Sequence, residues 1–342
     1  MEFSFDGRAT RERLHQFADM MRAMDEKIGF KLSARGLCYQ CESERLINKD
    51  QFDKVESWIN NCRRKGILPI DFVAEEARRE FSGVDSDYQG DPKHHITTYL
   101  NFAKTCYRFY SPDWWDGEEY YIQMVVEKSD LKTLFEPVCR RYHIPIANSA
   151  GWSSMLQRAT YARRFKEAEE KGLRCMLLYC GDHDPDGLRI SEFLRKNLAD
   201  ISNVTWDDGL EGYDPYDLEI KRFGLNADFI MEHNLTWIDN LITGSKKDLG
   251  STSHKNHFMP YVQDYIRQFG KRKCEANAIV PMPDIARAFV DDVIIGYLGE
   301  GAKDRFANKK DEIALEMKDF IERISLDTSI DELIDLVEES EY

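Results

Sequence analysis

The segment CMLLYCGDHDPDGLRIS, residues 175–191, restricts the fold more than any other part of this chain. Cys175 to Cys180 form an unbroken apolar run, too short for a core helix and without the alternation of a half-exposed strand, so it reads as a buried parallel strand. Directly behind it stand Asp182, Asp184 and Asp186 at alternate positions. Carboxylates packed this closely repel one another and bind protons more tightly unless a positive charge sits among them. A bound cation is the expected remedy. An EF-hand loop opens with the same D-x-D-x-D-G, but its twelfth position needs a bidentate carboxylate and here holds Phe193, and no helix precedes it. A polar turn whose aspartates cap the next helix is the plainer alternative. Open α/β sheets place their ligands beyond the carboxyl ends of parallel strands, which favours a hard-cation site, Mg2+ or Mn2+, at the three aspartates.

The flanking pattern supplies such a sheet. YYIQMVV, residues 120–126, reads as a strand ending at Glu127; residues 130–142 read as a helix kinked at Pro137, IPIAN as a second strand, 153–171 as a helix, 174–180 as the third strand, and a helix follows from Leu188. Alternating strands and helices imply a parallel-sheet α/β domain. Glu127 then ends one strand as the aspartates end another. It is either a partner of their site or an ordinary strand-end carboxylate paired with Lys128.

Upstream, the chain reads as helical. Residues 8–28 form one amphipathic helix, Ser33 caps a second over ARGLCYQCESERLI, and Asp50 caps a third carrying Phe52, Val55, Ile59 and Cys62. ILPIDFV, residues 67–73, is the expected strand of a winged-helix-like DNA-binding unit, although a purely structural helical domain fits the same pattern. Lys54, Arg63, Arg64 and Lys65 either meet phosphates or answer the dipole at a helix end. Residues 82–93 read as a loop, the next segment as a helix, and SPDWWDGEE as a joint. The expected domains are 1–110, winged-helix-like; 111–300, α/β; and 301–342, an acidic helical tail.

The net charge of −15 argues against a protein that coats nucleic acid electrostatically. The first 110 residues are about neutral and the acidity lies after them, so an anionic ligand would rely on local basic groups and metal. No apolar run reaches the roughly 20 residues of a membrane span, and the first residues lack a signal-peptide core, so a cytoplasmic protein with no membrane contact is expected. Eight cysteines set mostly among apolar residues read as reduced core thiols. Cys38 and Cys41 spell C-x-x-C without a second pair at zinc-finger spacing.

A glutamate ending the first strand and Asp-x-Asp ending the third resemble the Toprim domain of topoisomerases, primases and nucleases, here in MVVEKSD and LLYCGDHDPDG. That resemblance implies that Asp182 and Asp184 hold Mg2+ at a phosphodiester, with Asp186 either contributing through water or capping the helix, and that Glu127 acts as an acid/base or a further metal contact. A winged-helix-like unit in front, ARGLCY within it, and later LEIKRFGLN and KCEANAI are similar to the A subunit of topoisomerase VI and its meiotic strand-breaking relative. By that likeness Tyr39 is the nucleophile, Arg35 lies four residues before it on the same helix face, and Glu275 matches a late family carboxylate. Such a tyrosine attacks the other subunit's metal site, which implies a homodimer. Two departures stand out: Cys38 replaces the first of two adjacent tyrosines, and Asp186 occupies a position commonly aromatic.

Three functions follow: an Mg2+-dependent DNA-cleaving transesterase, a Toprim nuclease that uses metal-activated water, and a non-catalytic DNA-binding or assembly protein. No G-x-x-x-x-G-K-[ST] loop is present, so ATP-driven strand passage would need an ATPase partner chain.

Overall fold

Thr10 opens the first helix, its hydroxyl accepting the Arg13 amide ahead of α1 (Arg11–Ile28), and Gly29, at φ 73°, closes it. This is a computed structural model, describing residues 9–74, 90–149, 155–206, 208–242 and 248–340. α1 buries Leu14, Phe17, Ala18 and Met21 along one face. Ser33 caps α2 (Ala34–Ser43), accepting the Gly36 amide at 3.0 Å. α3 (Phe52–Arg64) begins later than Asp50 suggested: Asp50 lies inside a 3-10 turn, where the Gln51 side chain accepts the Asn48 amide at 3.0 Å. Residues 67–73 are not a strand. Pro69 has no N–H to give a ladder, the Phe72 amide turns back to the Pro69 carbonyl, and the Ala74 amide joins the Leu32 carbonyl at 2.8 Å. Their apolar residues Leu68, Phe72 and Val73 are buried in a turn instead.

The expected α/β alternation is present. After α4 (Pro92–Lys104) come β1 (Tyr120–Val126), α5 (Ser129–Arg141), β2 (Ile146–Asn148), α6 (Met155–Glu170), β3 (Arg174–Cys180), α7 (Ile190–Ala199) and β4 (Glu219–Gly224). The four strands form one parallel sheet in the order β2-β1-β3-β4. β1 and β3 are neighbours in full register, from Tyr120 opposite Arg174 to Val126 opposite Cys180, so their carboxyl ends are level. Both are buried at six of seven positions, as their unbroken apolar runs require. Pro137 lies inside α5, which runs through it.

Beyond the sheet follow α8 (Ala227–Glu232), α9 (Pro260–Phe269), a single 3-10 turn (Ala276–Ile279) and α10 (Pro283–Leu298), then α11 (Ala302–Arg323) and α12 (Leu326–Glu339). Contacts divide the chain into two units, Met1–Glu76 with Glu118–Tyr297 and Ala77–Gly117 with Leu298–Tyr342. In the second unit α12 packs along α4, tied by Lys104 to Asp331 at 2.6 Å and by Lys93 to the Glu338 carbonyl at 3.0 Å. Residues 82–89 of the expected loop lie outside the described residues; Asp91 caps α4. All eight cysteines are free, and seven are buried. Among the described residues no helix is long and apolar enough to cross a membrane.

Within the first unit, α2 is pressed against α5 at Gly36. A Cβ there would stand 2.6 Å from Asp130 Oδ2. Asp130 cannot yield easily, because it is buried and held by Asn277 Nδ2 at 3.2 Å, while Gln40 of α2 donates to the Asn277 carbonyl at 3.3 Å. Gly36→Ala should therefore destabilise the protein by about 1–3 kcal/mol, the usual cost of overpacking, as read by urea unfolding. Wild-type stability in that variant would show that α2 does not bear on Asp130.

Candidate active site at the carboxyl ends of the strands

The level ends of β1 and β3 bring Glu127 and Asp182 together. Glu127 Oε2 accepts the Asp182 amide at 2.7 Å and the Tyr179 hydroxyl at 3.2 Å. Asp182 Oδ1 accepts the Ala276 amide at 2.7 Å, and Asp184 Oδ1 accepts the Gly187 amide at 2.6 Å. Asp186 Oδ1 takes the Tyr261 hydroxyl at 3.0 Å. Extended backbone sends alternate side chains to opposite sides, so Asp182 and Asp184 face a shared cavity while His183 points into the core. There its ring meets Tyr265 Oη at 3.0 Å, beside Trp237 and Phe269. A side chain at Gly187 would strike the Asp182 carbonyl, so only glycine lets the chain turn this tightly. Arg222 of β4 fixes the same loop through the carbonyls of Gly181, Asp182 and Gly187 at 3.2, 3.0 and 3.2 Å. Sequence reasoning missed this positioning role, which an arginine in LEIKRFGLN does not advertise.

Positive charge enters from three lysines. Lys128 Nζ lies 2.8 Å from Asp182 Oδ2, 3.1 Å from Glu127 Oε1 and 3.4 Å from Glu275 Oε2. Glu275 Oε1 also receives Lys49 at 2.5 Å and Lys273 at 2.6 Å. Burial alone would raise the Glu275 carboxyl, but Lys128, Lys273 and Lys49 hold it far below the usual range. Burial likewise works against ionised Glu127, which Lys128 and the Asp182 amide keep below its ordinary value. Asp182 goes the other way: burial and the charges of Glu127 and Glu275 raise it well above the usual range despite Lys128. Burial raises Asp184 too. Both carboxylates carry lysines and line the cavity.

Tyr39 faces this cavity, whose volume is about 330 Å³, from the same chain. It is half-buried rather than a core aromatic. Its ring meets Phe52 edge-on at 5.1 Å, and the Lys49 and Lys128 ammoniums lie 5.8 and 5.9 Å from its centre. Burial pushes the phenol above its ordinary pKa; Lys128 and Arg35 oppose the rise and Glu275 adds to it. Arg35 is exposed, pairs with Glu56 at 3.3 Å and is not among the residues lining the cavity. Of the basic residues around α3, Arg63 ties the chain to the Ile70 carbonyl at 2.8 Å, while Arg64 and Lys65 are exposed.

Asp182, Asp184, Asp186 and Glu127 line one cavity, and carboxylate oxygen is the donor type that Mg2+ and Mn2+ prefer. Among the described residues, no three His, Cys, Asp or Glu side chains are already gathered as a ligand set. The donor type is one that suits a divalent ion. Comparison with protein-family models, curated proteins and solved structures returns no match.

Removing one partner from a buried ionic cluster costs far more than removing a surface pair. Glu275→Ala strands Lys273, whose side chain is only 3% exposed, and should cost about 3–5 kcal/mol in denaturant unfolding. Glu136→Ala, which breaks a helix-surface pair with Arg140, should leave the midpoint nearly unchanged. Equal effects would mean that the lysine cluster does not hold the site together.

Proposed function

We propose that this cavity cleaves phosphodiester bonds in DNA with Mg2+ or Mn2+, Tyr39 attacking phosphorus, as the likeness to Toprim domains and to the topoisomerase VI A subunit implies. One observation supports the reading above others: Tyr39, Glu127, Asp182, Asp184 and Asp186 line a single cavity. A phenol is a poor nucleophile at neutral pH until its proton is removed. Glu127 is the carboxylate suited to take that proton, directly or through water, because it remains ionised beside Lys128. Lys49 and Lys128 favour negative charge at the Tyr39 ring. As the new O–P bond forms, the bond to the sugar oxygen breaks, and that oxygen leaves with a proton as a hydroxyl. A bound divalent ion supplies the positive charge that offsets the charge growing on the phosphate. DNA is held by local basic groups, Arg64 and Lys65 among them, and any ATP-driven strand passage is left to a separate ATPase chain.

Hydrolysis by metal-activated water is the second reading. Burial holds the Tyr39 phenol above its ordinary pKa, which favours water over the phenol as nucleophile.

With supercoiled plasmid and Mg2+, wild-type protein should yield DNA ends that remain protein-linked after detergent. Asp182→Asn and Asp184→Asn should each lower cleavage at least about 100-fold, the scale of losing one charge-stabilising group, with the folded state retained by circular dichroism. Full cleavage by either variant would remove the metal-site reading, and full cleavage by Tyr39→Phe would leave only hydrolysis.

Because Tyr39 and the aspartates meet within one chain, a homodimer need not exchange them between subunits. Mixing Tyr39→Phe subunits with Asp184→Asn subunits should leave cleavage absent. Recovery of activity in the mixture would instead establish sites shared between subunits, as the resembling family uses.

A further inference from the structure

The positive charge that the acidic cluster demands already comes from the chain itself. Lys128 stands between carboxylates of three separate segments, Glu127 after β1, Asp182 after β3 and Glu275 beside the Ala276–Ile279 turn, at 3.1, 2.8 and 3.4 Å. An ammonium and a divalent ion seek the same carboxylate oxygens and repel each other, so both cannot hold them together. We propose that Lys128 is the resident counter-cation of this site and that divalent metal enters by displacing it. This rests on the reading that the cavity takes a divalent ion.

The arrangement makes Lys128 the exchangeable partner. If its ammonium leaves, Glu275 keeps Lys49 at 2.5 Å and Lys273 at 2.6 Å. Glu127 keeps the Asp182 amide at 2.7 Å and the Tyr179 hydroxyl at 3.2 Å. Asp182 keeps the Ala276 amide on Oδ1, and its other oxygen, Oδ2, is released. Lys273 could not move in this way, since its side chain is buried and also donates to the Ile242 carbonyl at 2.5 Å. Lys128 immediately precedes α5 on extended backbone and lines the cavity, so its flexible four-carbon stem has open space to swing into. Once displaced, the ammonium stays in the cavity, where an anionic phosphate is its natural partner.

Calorimetric titration of the full chain with Mn2+, in the absence of DNA, tests this. Lys128→Met should bind Mn2+ at least about tenfold more tightly than wild type, by loss of a competing cation, whereas Lys128→Arg should not gain affinity. Lys128→Met should also melt below wild type without metal and regain that loss with Mn2+. Should Lys128→Met not fold, wild-type protein gives a second readout: acylation of Lys128 by an amine-reactive reagent, followed by mass spectrometry, should rise several-fold at saturating Mg2+. Unchanged affinity in Lys128→Met, or unchanged Lys128 reactivity while Mg2+ binds, overturns the exchange alone. Absence of Mn2+ binding in both wild type and Lys128→Met overturns it together with the metal reading.

Discussion

Carboxylates gathered at the ends of adjacent parallel strands cannot be buried without compensating positive charge, and the lysine cluster on Glu127, Asp182 and Glu275 supplies it. Asp182 and Asp184 are 5% and 8% exposed, so water screens them little. Lys128 joins the two strand ends, and Glu275 draws in Lys273 from its own segment and Lys49 from the N-terminal helices. One of the ion pairs that neutralise the cluster, Lys49 to Glu275, therefore also ties the N-terminal region of this unit to the segment that follows α9. Tyr39, from the same region, lines the cavity as well.

Backbone geometry and electrostatics meet in the loop after β3. The tight turn at Gly187, the Arg222 clamp on three carbonyls and the ladder between His183 and Cys274 fix the direction of each side chain. Asp182 and Asp184 thus face the cavity without choosing their own conformations. Preorganisation of this kind is what a charge-stabilising site requires, because little remains to be ordered when a ligand arrives. Close packing at Gly36 extends the same control to α2, since a larger residue there would shift the helix that carries Tyr39.

Much of the α/β core was legible in the sequence because its signals are local. The apolar runs at 120–126 and 174–180 become strands buried at six of seven positions, and parallel pairing then makes Glu127 and Asp182 neighbours. Even the Glu127–Lys128 pair follows from adjacency along the chain. Residues 67–73 misled because apolar content alone resembles a strand, whereas Pro69 removes the donor a ladder needs. β4 escaped notice since its burial is uneven along its length. Least legible were Lys49 at Glu275 and Arg222 at the aspartate loop, contacts between residues distant in sequence that no periodicity encodes.

If Tyr39 and the strand-end carboxylates form one reaction site, cleavage must leave a covalent mark on a single residue. Protein incubated with DNA and Mg2+, denatured, treated with nuclease and digested with protease should yield a peptide in which Tyr39 carries a nucleotide through its phenolic oxygen. Cut DNA accompanied by an unmodified Tyr39 peptide would contradict the tyrosine mechanism and assign the chemistry to water.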